Sequence, residues 1–275
     1  MFSYNFDGKI LGNEESVIHP DNRSFRYGEG LFETIHLWKS KIPLWDWHWK
    51  RLIQSLPQLY FSVPVHFSQQ KLKEEIISLA QKNHCAQNAR VRITVFKGEG
   101  GIWEKPSAAF HYLLQCWPVE QTNVSLNENG LVTGIYTDGW KSCDAFSNLK
   151  HNNYLLYAMA AQYAKLQQWN EAILLNQNNR ICEATIANVF FIKDGIIHTP
   201  HLKEGCVAGV MRSFLADKIK PLEGSYTIED LLHADELFFT NAFNGIRWVK
   251  SLGNKIYTNR QTTQVLAEYI SPLFV

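Results

Sequence analysis

Residues 171–200, EAILLNQNNRICEATIANVFFIKDGIIHTP, carry the pattern that decides the fold class. Short apolar runs rich in isoleucine, valine and phenylalanine alternate with turn residues at 177–179 and 194–195, which predicts three consecutive strands. Consecutive strands without intervening helices pair through short connections, as in antiparallel sheets. The stretch therefore favours an antiparallel or mixed sheet over a regular alternation of strand and helix.

The residues before this stretch predict a helix over 152–168. Leu155, Leu156, Met159 and Tyr163 fall on one stripe at helical spacing. A second amphipathic helix is predicted from residue 69 onward, with Ser68 as its N-cap. Strand-like runs flank both helices, and Asp7-Gly8 is typical of a hairpin turn. The fold class is thus mixed α/β (α+β).

A polar segment divides the chain. Pro118 and residues 120–130 form the best linker candidate, and strand and helix patterns start again after it. We therefore predict a small N-terminal α/β domain over 1–118 and a large C-terminal α/β domain over 119–275, with the linker at about 118–130.

Composition excludes several classes of protein. The 275 residues contain 27 Lys and Arg against 26 Asp and Glu, a net charge of +1, without the concentrated basic patch of a nucleic-acid binder. No apolar run reaches the roughly 18 residues of a membrane span, and the first ten residues lack the apolar core of a signal peptide. Five cysteines without a C-x-x-C pair and ten scattered histidines predict neither disulfides nor a metal site. A cytoplasmic location is expected.

Two residues stand out for chemistry. Lys150 precedes a mostly apolar helix, where partial burial lowers the pKa of an amine and makes it nucleophilic. Taken alone, a lysine at a helix start is usually a solvated surface group. Glu183 interrupts an apolar, strand-rich stretch, and a buried carboxylate there needs a cationic or hydrogen-bonding partner. A protonated pyridine nitrogen is one such partner, and a strand-edge glutamate facing water is the alternative.

Several further residues are candidates for binding an anion. Gly209 precedes a predicted helix, whose first amides, at Val210 and Met211, would point at a phosphate. Thr240 ends a predicted strand and offers a hydroxyl donor, with Asn241 beside it, and Arg51 offers a charge-assisted contact. Each of these features is common by itself.

The order of the motifs is more specific than any one of them. The chain presents YGEGLFET (27–34), H-x-x-R-L (48–52), a strand ending in the glycine-rich residues 97–101, K-x-x-N (150–153), E-x-x-x-x-N-x-F (183–190), G-V-M-R (209–212) and ADELFFTNA (234–242). This series closely resembles the class IV (fold type IV) pyridoxal-phosphate enzymes. That group comprises branched-chain aminotransferases, D-amino-acid transaminases and aminodeoxychorismate lyases.

The resemblance implies a role for each candidate residue. Lys150 matches the lysine that bonds to pyridoxal 5′-phosphate (PLP) and moves the Cα proton, and Glu183 matches the carboxylate that keeps the pyridine nitrogen protonated. The phosphate-binding and other cofactor-binding positions are matched by Arg51, Gly209, Val210, Met211, Thr240 and Asn241. The family fold places the cofactor between a small and a large α/β domain, and the enzymes are usually homodimers.

The motifs favour one reaction. Asn153 three residues after Lys150, GVMR and the segment TNAFNGI resemble the lyases, which predicts elimination of pyruvate from 4-amino-4-deoxychorismate to give p-aminobenzoate. Lyases often carry an arginine after the glycine-rich loop, where this chain has Ile102 and Trp103; that apolar pair suits an aminotransferase for branched-chain or D-amino acids with 2-oxoglutarate. A non-catalytic ligand-binding relative is the remote alternative. Candidate substrate-pocket walls are Tyr27, Phe32, Thr34 and Trp103.

Overall fold

The computed structural model describes residues 2–15, 18–104, 109–120 and 125–275, and the chain divides into two compact units. The first comprises Met1–Thr122 and Lys150–Asn153; the second comprises Asn123–Leu149 and Tyr154–Val275. Sequence analysis assigned all of 119–275 to the second domain, whereas the structure places Lys150–Asn153 with the first unit. Part of the predicted linker, residues 121–124, lies outside the described residues.

The first unit is built around an antiparallel sheet. Its described elements are β1 Tyr4–Phe6, β2 Lys9–Leu11, α1 Arg23–Tyr27, β3 Gly30–Trp38, α2 Trp45–Ser55, α3 Gln69–Lys82, β4 Asn88–Lys97 and β5 Phe110–Pro118. Among the described residues the strand order is β2-β1-β5-β4-β3, and every neighbouring pair is antiparallel. The predicted hairpin at Asp7-Gly8 is confirmed, and β3 lies at one edge.

Helix α3 covers one face of this sheet. Ser68 caps it by accepting a hydrogen bond from the Lys71 N–H at 3.4 Å, as predicted. Leu72, Ile76 and Leu79 are buried where the helix packs against β1 and β5. Each such side chain contributes about 1.5–3 kcal/mol by leaving water.

The second unit contains a mixed sheet. Its described elements are β6 Leu131–Lys141, α4 Leu155–Leu166, β7 Glu171–Asn176, β8 Ile181–Ala184, β9 Asn188–Lys193, β10 Ile196–Pro200, α5 Val210–Ile219, β11 Leu222–Gly224, α6 Ile228–Leu232, β12 Glu236–Asn241, β13 Gly245–Leu252, β14 Lys255–Ile256 and α7 Arg260–Val265. The order is β11-β10-β9-β12-β13-β6-β7-β8, with β14 on β13. The pairs β10–β11, β13–β6 and β6–β7 are parallel, so the predicted mixed α/β class is confirmed.

Two local predictions in this unit were wrong. The stretch 171–200 forms four strands, because residues 185–187 break the apolar run between β8 and β9. Helix α4 begins at Leu155 instead of residue 152, since residues 150–152 pair with β3. Its buried residues are Tyr157, Ala160 and Ala164. Of the predicted stripe, Leu156 and Tyr163 are partly buried against the same core, whereas Leu155 and Met159 are exposed.

No helix in the described part of the chain is long and apolar enough to cross a membrane.

Candidate active site

Lys150 is fixed by backbone pairing with the edge strand of the first unit. The Phe32 N–H donates to the Lys150 carbonyl oxygen at 2.9 Å, and the Asn152 N–H donates to the Gly30 carbonyl oxygen at 2.9 Å. The half-buried side chain places its ammonium 4.3 Å from the centroid of the Phe32 ring, a cation–π distance. The backbone pairing fixes the main chain of Lys150, and the contact with the Phe32 ring orients its amine.

The glycines of the YGEG motif make room for this segment. A Cβ on Gly30 would collide with Asn152 Nδ2 and lie 2.7 Å from the carbonyl oxygen of Val95. A Cβ on Gly28, whose φ of +69° already favours glycine, would lie 2.8 Å from Asn153 Oδ1. YGEG and K-x-x-N are therefore parts of one packed unit, although about 120 residues separate them in the chain.

Arg51 projects from α2 toward Glu33 of β3. Its Nε and Nη2 donate to Glu33 Oε1 and Oε2 at 2.7 and 2.5 Å, a bidentate pair. His48 Nδ1, one turn before Arg51, donates to Glu33 Oε2 at 2.7 Å. Burial raises the pKa of Glu33, but the Arg51 charge and the His48 hydrogen bond outweigh it and lower the pKa to about 2.

His48 is neutral in this cluster. Burial lowers the pKa of its imidazole, and the charges of Arg51 and Lys150 lower it further, against the opposing effect of Glu33. The cluster of Glu33, His48 and Arg51 therefore contains one carboxylate and one guanidinium, with the Arg51 fork held in a single orientation. A guanidinium oriented in this way suits a phosphate group.

The four candidate substrate-pocket residues lie in the first unit and differ in burial and in their neighbours. Phe32 is buried, and the guanidinium of Arg92 lies 3.9 Å from its ring centroid. Tyr27 is half-buried with the guanidinium groups of Arg23 and Arg26 within 5.4 Å of its ring. Thr34 is half-buried, and Trp103 is 97% exposed.

The glycine-rich loop after β4 is anchored by two buried cations. Glu29 accepts hydrogen bonds from Arg23 Nε and Lys97 Nζ, both at 2.5 Å, and Arg23 also donates to the Gly101 carbonyl oxygen. The Arg23 and Lys97 side chains are 8% and 7% exposed, against 22% for Glu29. Arg23 and Lys97 thus share the Glu29 carboxylate, and a second carboxylate, that of Glu104, accepts a hydrogen bond from the Gly101 N–H of the same loop at 2.7 Å.

Glu183 lies in β8 of the second unit and is 3% exposed. Its Oε1 accepts a hydrogen bond from the Tyr157 hydroxyl at 2.6 Å, and its Oε2 accepts one from the Val207 N–H at 3.0 Å. Lys141 Nζ lies 3.4 Å from Oε1. The alternative of a glutamate facing water is excluded, because the carboxylate is buried and paired.

The loop that holds Glu183 also leads into α5. Gly209 is the N-cap of this helix and follows Val207 by two residues, so that Glu183 and the start of α5 are close neighbours. A side chain at Gly209 would collide with Asn188 Oδ1, which explains the glycine. The first amides of a helix, here those of Val210 and Met211, have no acceptor within it and attract anions.

Thr240 and Asn241 end β12, against which α5 packs. The Thr240 hydroxyl oxygen is buried and has no hydrogen-bond partner among the described residues. An unpartnered buried hydroxyl is costly unless a ligand or water satisfies it. Asn241 is already engaged: its Oδ1 accepts from the Phe243 and Asn244 N–H groups and its Nδ2 donates to Ile186, so that it shapes the turn after β12.

These groups match the functional groups of PLP. The second unit offers a buried carboxylate for a protonated ring nitrogen and, for a phosphate, a helix start beside the unpartnered hydroxyl of Thr240. The first unit offers an amine on Lys150 and the oriented guanidinium of Arg51. Each unit therefore offers groups of the chemical kinds that PLP binding requires.

Sequence analysis missed the partners of these residues. Glu33, His48, Lys141 and Tyr157 were not among the candidates, although each touches one that was. Glu33 had a detectable signal, because it is a carboxylate at a buried position of an apolar strand. Lys141 had none, since it lies 42 residues from Glu183 in the chain.

Comparisons with known proteins identify the family of this chain. Residues 30–252 match the sequence profile of the family described as Amino-transferase class IV. Aminodeoxychorismate lyase of Bacillus subtilis (strain 168) is 30% identical over 251 residues, which cover 86% of this chain and 82% of the relative.

Solved structures show the same architecture. A putative 4-amino-4-deoxychorismate lyase from Legionella pneumophila superposes with a TM-score of 0.80 at 26% identity, covering 93% of this chain and 95% of the other. A hypothetical aminotransferase from Mycobacterium tuberculosis, in its PLP-bound form, superposes with a TM-score of 0.83 at 18% identity, covering 99% of each chain.

Proposed function

Because this chain belongs to the class IV aminotransferases, we propose that it binds PLP and acts as an aminodeoxychorismate lyase. The observation that carries the cofactor assignment is the buried Glu183 carboxylate beside the start of α5, with the unpartnered hydroxyl of Thr240 in the same unit. The similarity to lyases, at 30% identity to the Bacillus subtilis protein, supports the reaction.

Each candidate residue has a distinct task in this proposal. For the phosphate, the first unit offers the guanidinium of Arg51, held by Glu33, and the second unit offers the α5 amides and the Thr240 hydroxyl; fixing the phosphate fixes the ring. Glu183 accepts the ring N–H. When bound, PLP supplies an aldehyde that captures the substrate amine and a protonated ring that takes up the electron pair left by a departing proton.

Lys150 is the base. Its amine takes the proton from the carbon that bears the substrate amino group. The electron pair of that bond forms the last ring double bond as the neighbouring carbon–oxygen bond breaks. The oxygen keeps the electron pair of the broken bond and leaves as the enolate of pyruvate, and one proton on the methylene carbon of the enolate, equal in number to the proton that Lys150 removed, gives pyruvate. The backbone pairing of Lys150 with Phe32 and Gly30 holds the amine in place for this transfer.

The buried cations at the glycine-rich loop support an anionic substrate. The lyase substrate carries two carboxylates, and Arg23 and Lys97 are buried cations beside the loop, both paired with Glu29. The two residues that follow the glycine-rich loop, Ile102 and Trp103, are apolar and offer no charge to a carboxylate.

The second candidate is an aminotransferase for branched-chain or D-amino acids with 2-oxoglutarate. Ile102 and Trp103, 61% and 97% exposed, favour it because they offer apolar surface to an apolar side chain. The two candidates share proton removal by Lys150 and differ in where the proton returns.

One experiment separates them. The purified protein with PLP is incubated with 4-amino-4-deoxychorismate alone, and separately with an amino acid and 2-oxoglutarate. Formation of p-aminobenzoate and pyruvate without a keto acid supports the lyase, whereas glutamate without p-aminobenzoate supports the aminotransferase. A protein that takes up no PLP and turns over neither substrate overturns both and leaves the non-catalytic relative. Light scattering tests the homodimer that we propose with this function.

A further inference from the structure

Lys141 forms a buried ion pair in the second unit. Its ammonium lies 3.4 Å from Glu183 Oε1 and donates to the Tyr157 hydroxyl at 2.7 Å and to the Ser147 carbonyl oxygen at 3.3 Å. The Lys141 and Glu183 side chains are 6% and 4% exposed. Lysine is almost never fully buried without a partner, so that its presence here requires a reason.

We propose that Lys141 and Tyr157 are positioning residues that balance the charge of the Glu183 carboxylate and hold it toward the ring nitrogen of PLP. The inference rests on the proposed binding of PLP and adds two residues that act through Glu183. Tyr157 relays the contact, since it accepts a hydrogen bond from Lys141 and donates one to Glu183 Oε1 at 2.6 Å.

The hydrogen bonds leave Glu183 room for a further donor. A carboxylate has about four acceptor positions. Tyr157 and Lys141 address Oε1, and the Val207 N–H addresses Oε2 at 3.0 Å. The carboxylate thus retains acceptor capacity for a ring N–H while two elements of the unit fix its orientation.

The described groups around Glu183 also fix its charge balance. Besides Lys141, the titratable groups that the Glu183 charge affects in this part of the chain are the thiols of Cys182 and Cys206 and the phenol of Tyr157, on which Tyr154 stacks at 4.1 Å. Burial raises the pKa of Tyr157 and Cys182 well above the ordinary values and that of Cys206 to about 12. These groups are neutral near pH 7, and Lys141 is the cation that balances the buried carboxylate.

The test compares PLP binding by four variants across pH. Lys141→Met removes the charge, Lys141→Arg keeps it, Tyr157→Phe removes only the relay, and Lys250→Met changes an exposed lysine of the same unit as the matched control. The dissociation constant for PLP is measured by absorbance titration from pH 5 to pH 9. This readout does not depend on turnover.

The expected results follow from the charge. Without the cation, the Glu183 carboxylate loses the charge that balances it and one of the contacts that orient it, so that PLP binding by Lys141→Met weakens by about tenfold or more near pH 7. The affinity of this variant should also depend on pH more steeply on the acid side than that of the wild type. Lys141→Arg restores the wild-type behaviour, Tyr157→Phe weakens binding less, and Lys250→Met behaves as the wild type.

Two outcomes overturn the inference. If the wild type binds PLP but Lys141→Met binds it with unchanged affinity and pH dependence, Lys141 does not position Glu183, and the proposed function stands. If the wild type binds no PLP, the proposed function fails and this inference falls with it.

A double variant covers the case in which Lys141→Met does not fold. Removing one partner of a buried ion pair is strongly destabilising, whereas removing both is often tolerated. Lys141→Met/Glu183→Gln is therefore compared with Glu183→Gln, and we expect equal PLP affinity and equal pH dependence. A further loss in the double variant would show that Lys141 acts independently of Glu183 and would overturn the inference.

Discussion

Phe32 holds Lys150 at both its main chain and its side chain. The Phe32 N–H donates to the Lys150 carbonyl oxygen at 2.9 Å, and the Lys150 ammonium lies 4.3 Å from the centroid of the Phe32 ring. The candidate catalytic lysine is therefore attached to the edge of β3 as an added strand residue. The position of Lys150 therefore depends on β3 and on Gly28 and Gly30, whose lack of a side chain leaves room for the segment 150–153.

Gly30→Ala should weaken the fold and the reaction together. The added methyl collides with Asn152 Nδ2 and lies 2.7 Å from the Val95 carbonyl oxygen, which cannot move freely within β4. We expect a loss of about 1–3 kcal/mol in the free energy of unfolding from such overpacking. Turnover should fall by about tenfold to a hundredfold, because a displacement near 1 Å is enough.

The matched control for that variant is Gly12→Ala. A Cβ on Gly12 has Glu15 Oε1 at 3.9 Å as its nearest neighbour, and its φ is not positive. Urea unfolding and initial rates measure both variants. Equal behaviour of Gly30→Ala and Gly12→Ala would contradict the role of Gly30.

Lys150→Ala should abolish turnover and retain PLP. The phosphate contacts that we assign to Arg51, Thr240 and α5 remain, whereas the base and the covalent attachment are lost. The wild type should show a visible absorbance band that borohydride bleaches and fixes to the chain; the variant should release its PLP on denaturation even after borohydride. Lys165→Ala, at an exposed position of α4, is the control. Full activity in Lys150→Ala would refute the assignment.

Glu33→Gln should change the acid stability of the protein. The pKa of Glu33 is about 2 in the folded protein against an ordinary value of 4.5. A lowered folded-state pKa contributes stability that is present above pH 4.5 and is lost as the pH falls toward 2, by up to about 3 kcal/mol. The wild type should therefore lose more stability between pH 5 and pH 3 than the variant.

Urea unfolding at both pH values checks this, with Glu74→Gln as an exposed control in the same unit. At pH 7 the variant should bind PLP more weakly, because Arg51 loses the carboxylate that orients it. Parallel pH dependences in wild type and Glu33→Gln would count against the ionised pair.

Thr240→Val should separate cofactor binding from stability. The Thr240 hydroxyl has no partner among the described residues, so that replacing it with a methyl costs the apoprotein nothing in hydrogen bonds. PLP binding should weaken by about tenfold or more through loss of a hydrogen bond to a charged phosphate.

Thr199→Val is the opposite case and serves as its control. Thr199 is buried and donates to the Val189 carbonyl oxygen at 2.8 Å, so that its replacement should cost about 1–3 kcal/mol of stability and leave PLP affinity unchanged. Thermal unfolding without PLP and PLP titration distinguish the two. If Thr240→Val destabilised the apoprotein as Thr199→Val does, the hydroxyl would have a structural partner.

Local patterns predicted the elements whose residues make contacts with near neighbours. The hairpin at Asp7-Gly8 and the N-cap Ser68 of α3 depend on turn and capping chemistry within a few residues. The order of the motifs also identified the family, because a motif is recognised from its residue types alone, without knowledge of what those residues contact.

Other features depend on pairing between distant segments. Helix α4 starts at Leu155 because residues 150–152 are taken up by the edge of β3, more than 100 residues earlier. The most deeply buried residues of α4 likewise depend on a distant segment: Tyr157 is buried where it reaches Glu183, beside Leu156 and Tyr163 of the predicted stripe.

The sequence by itself therefore determined the mixed α/β class, the family and the residue types Lys150, Arg51, Glu183 and Thr240, because these follow from composition, local spacing and motif order. The tertiary structure alone decided what each of them touches: Phe32 and Gly30 for the Lys150 segment, Glu33 for Arg51, and Tyr157 and Lys141 for Glu183. The physical reason is that a buried charge is stabilised by partners brought together in folding, and their separation along the chain leaves no local signal.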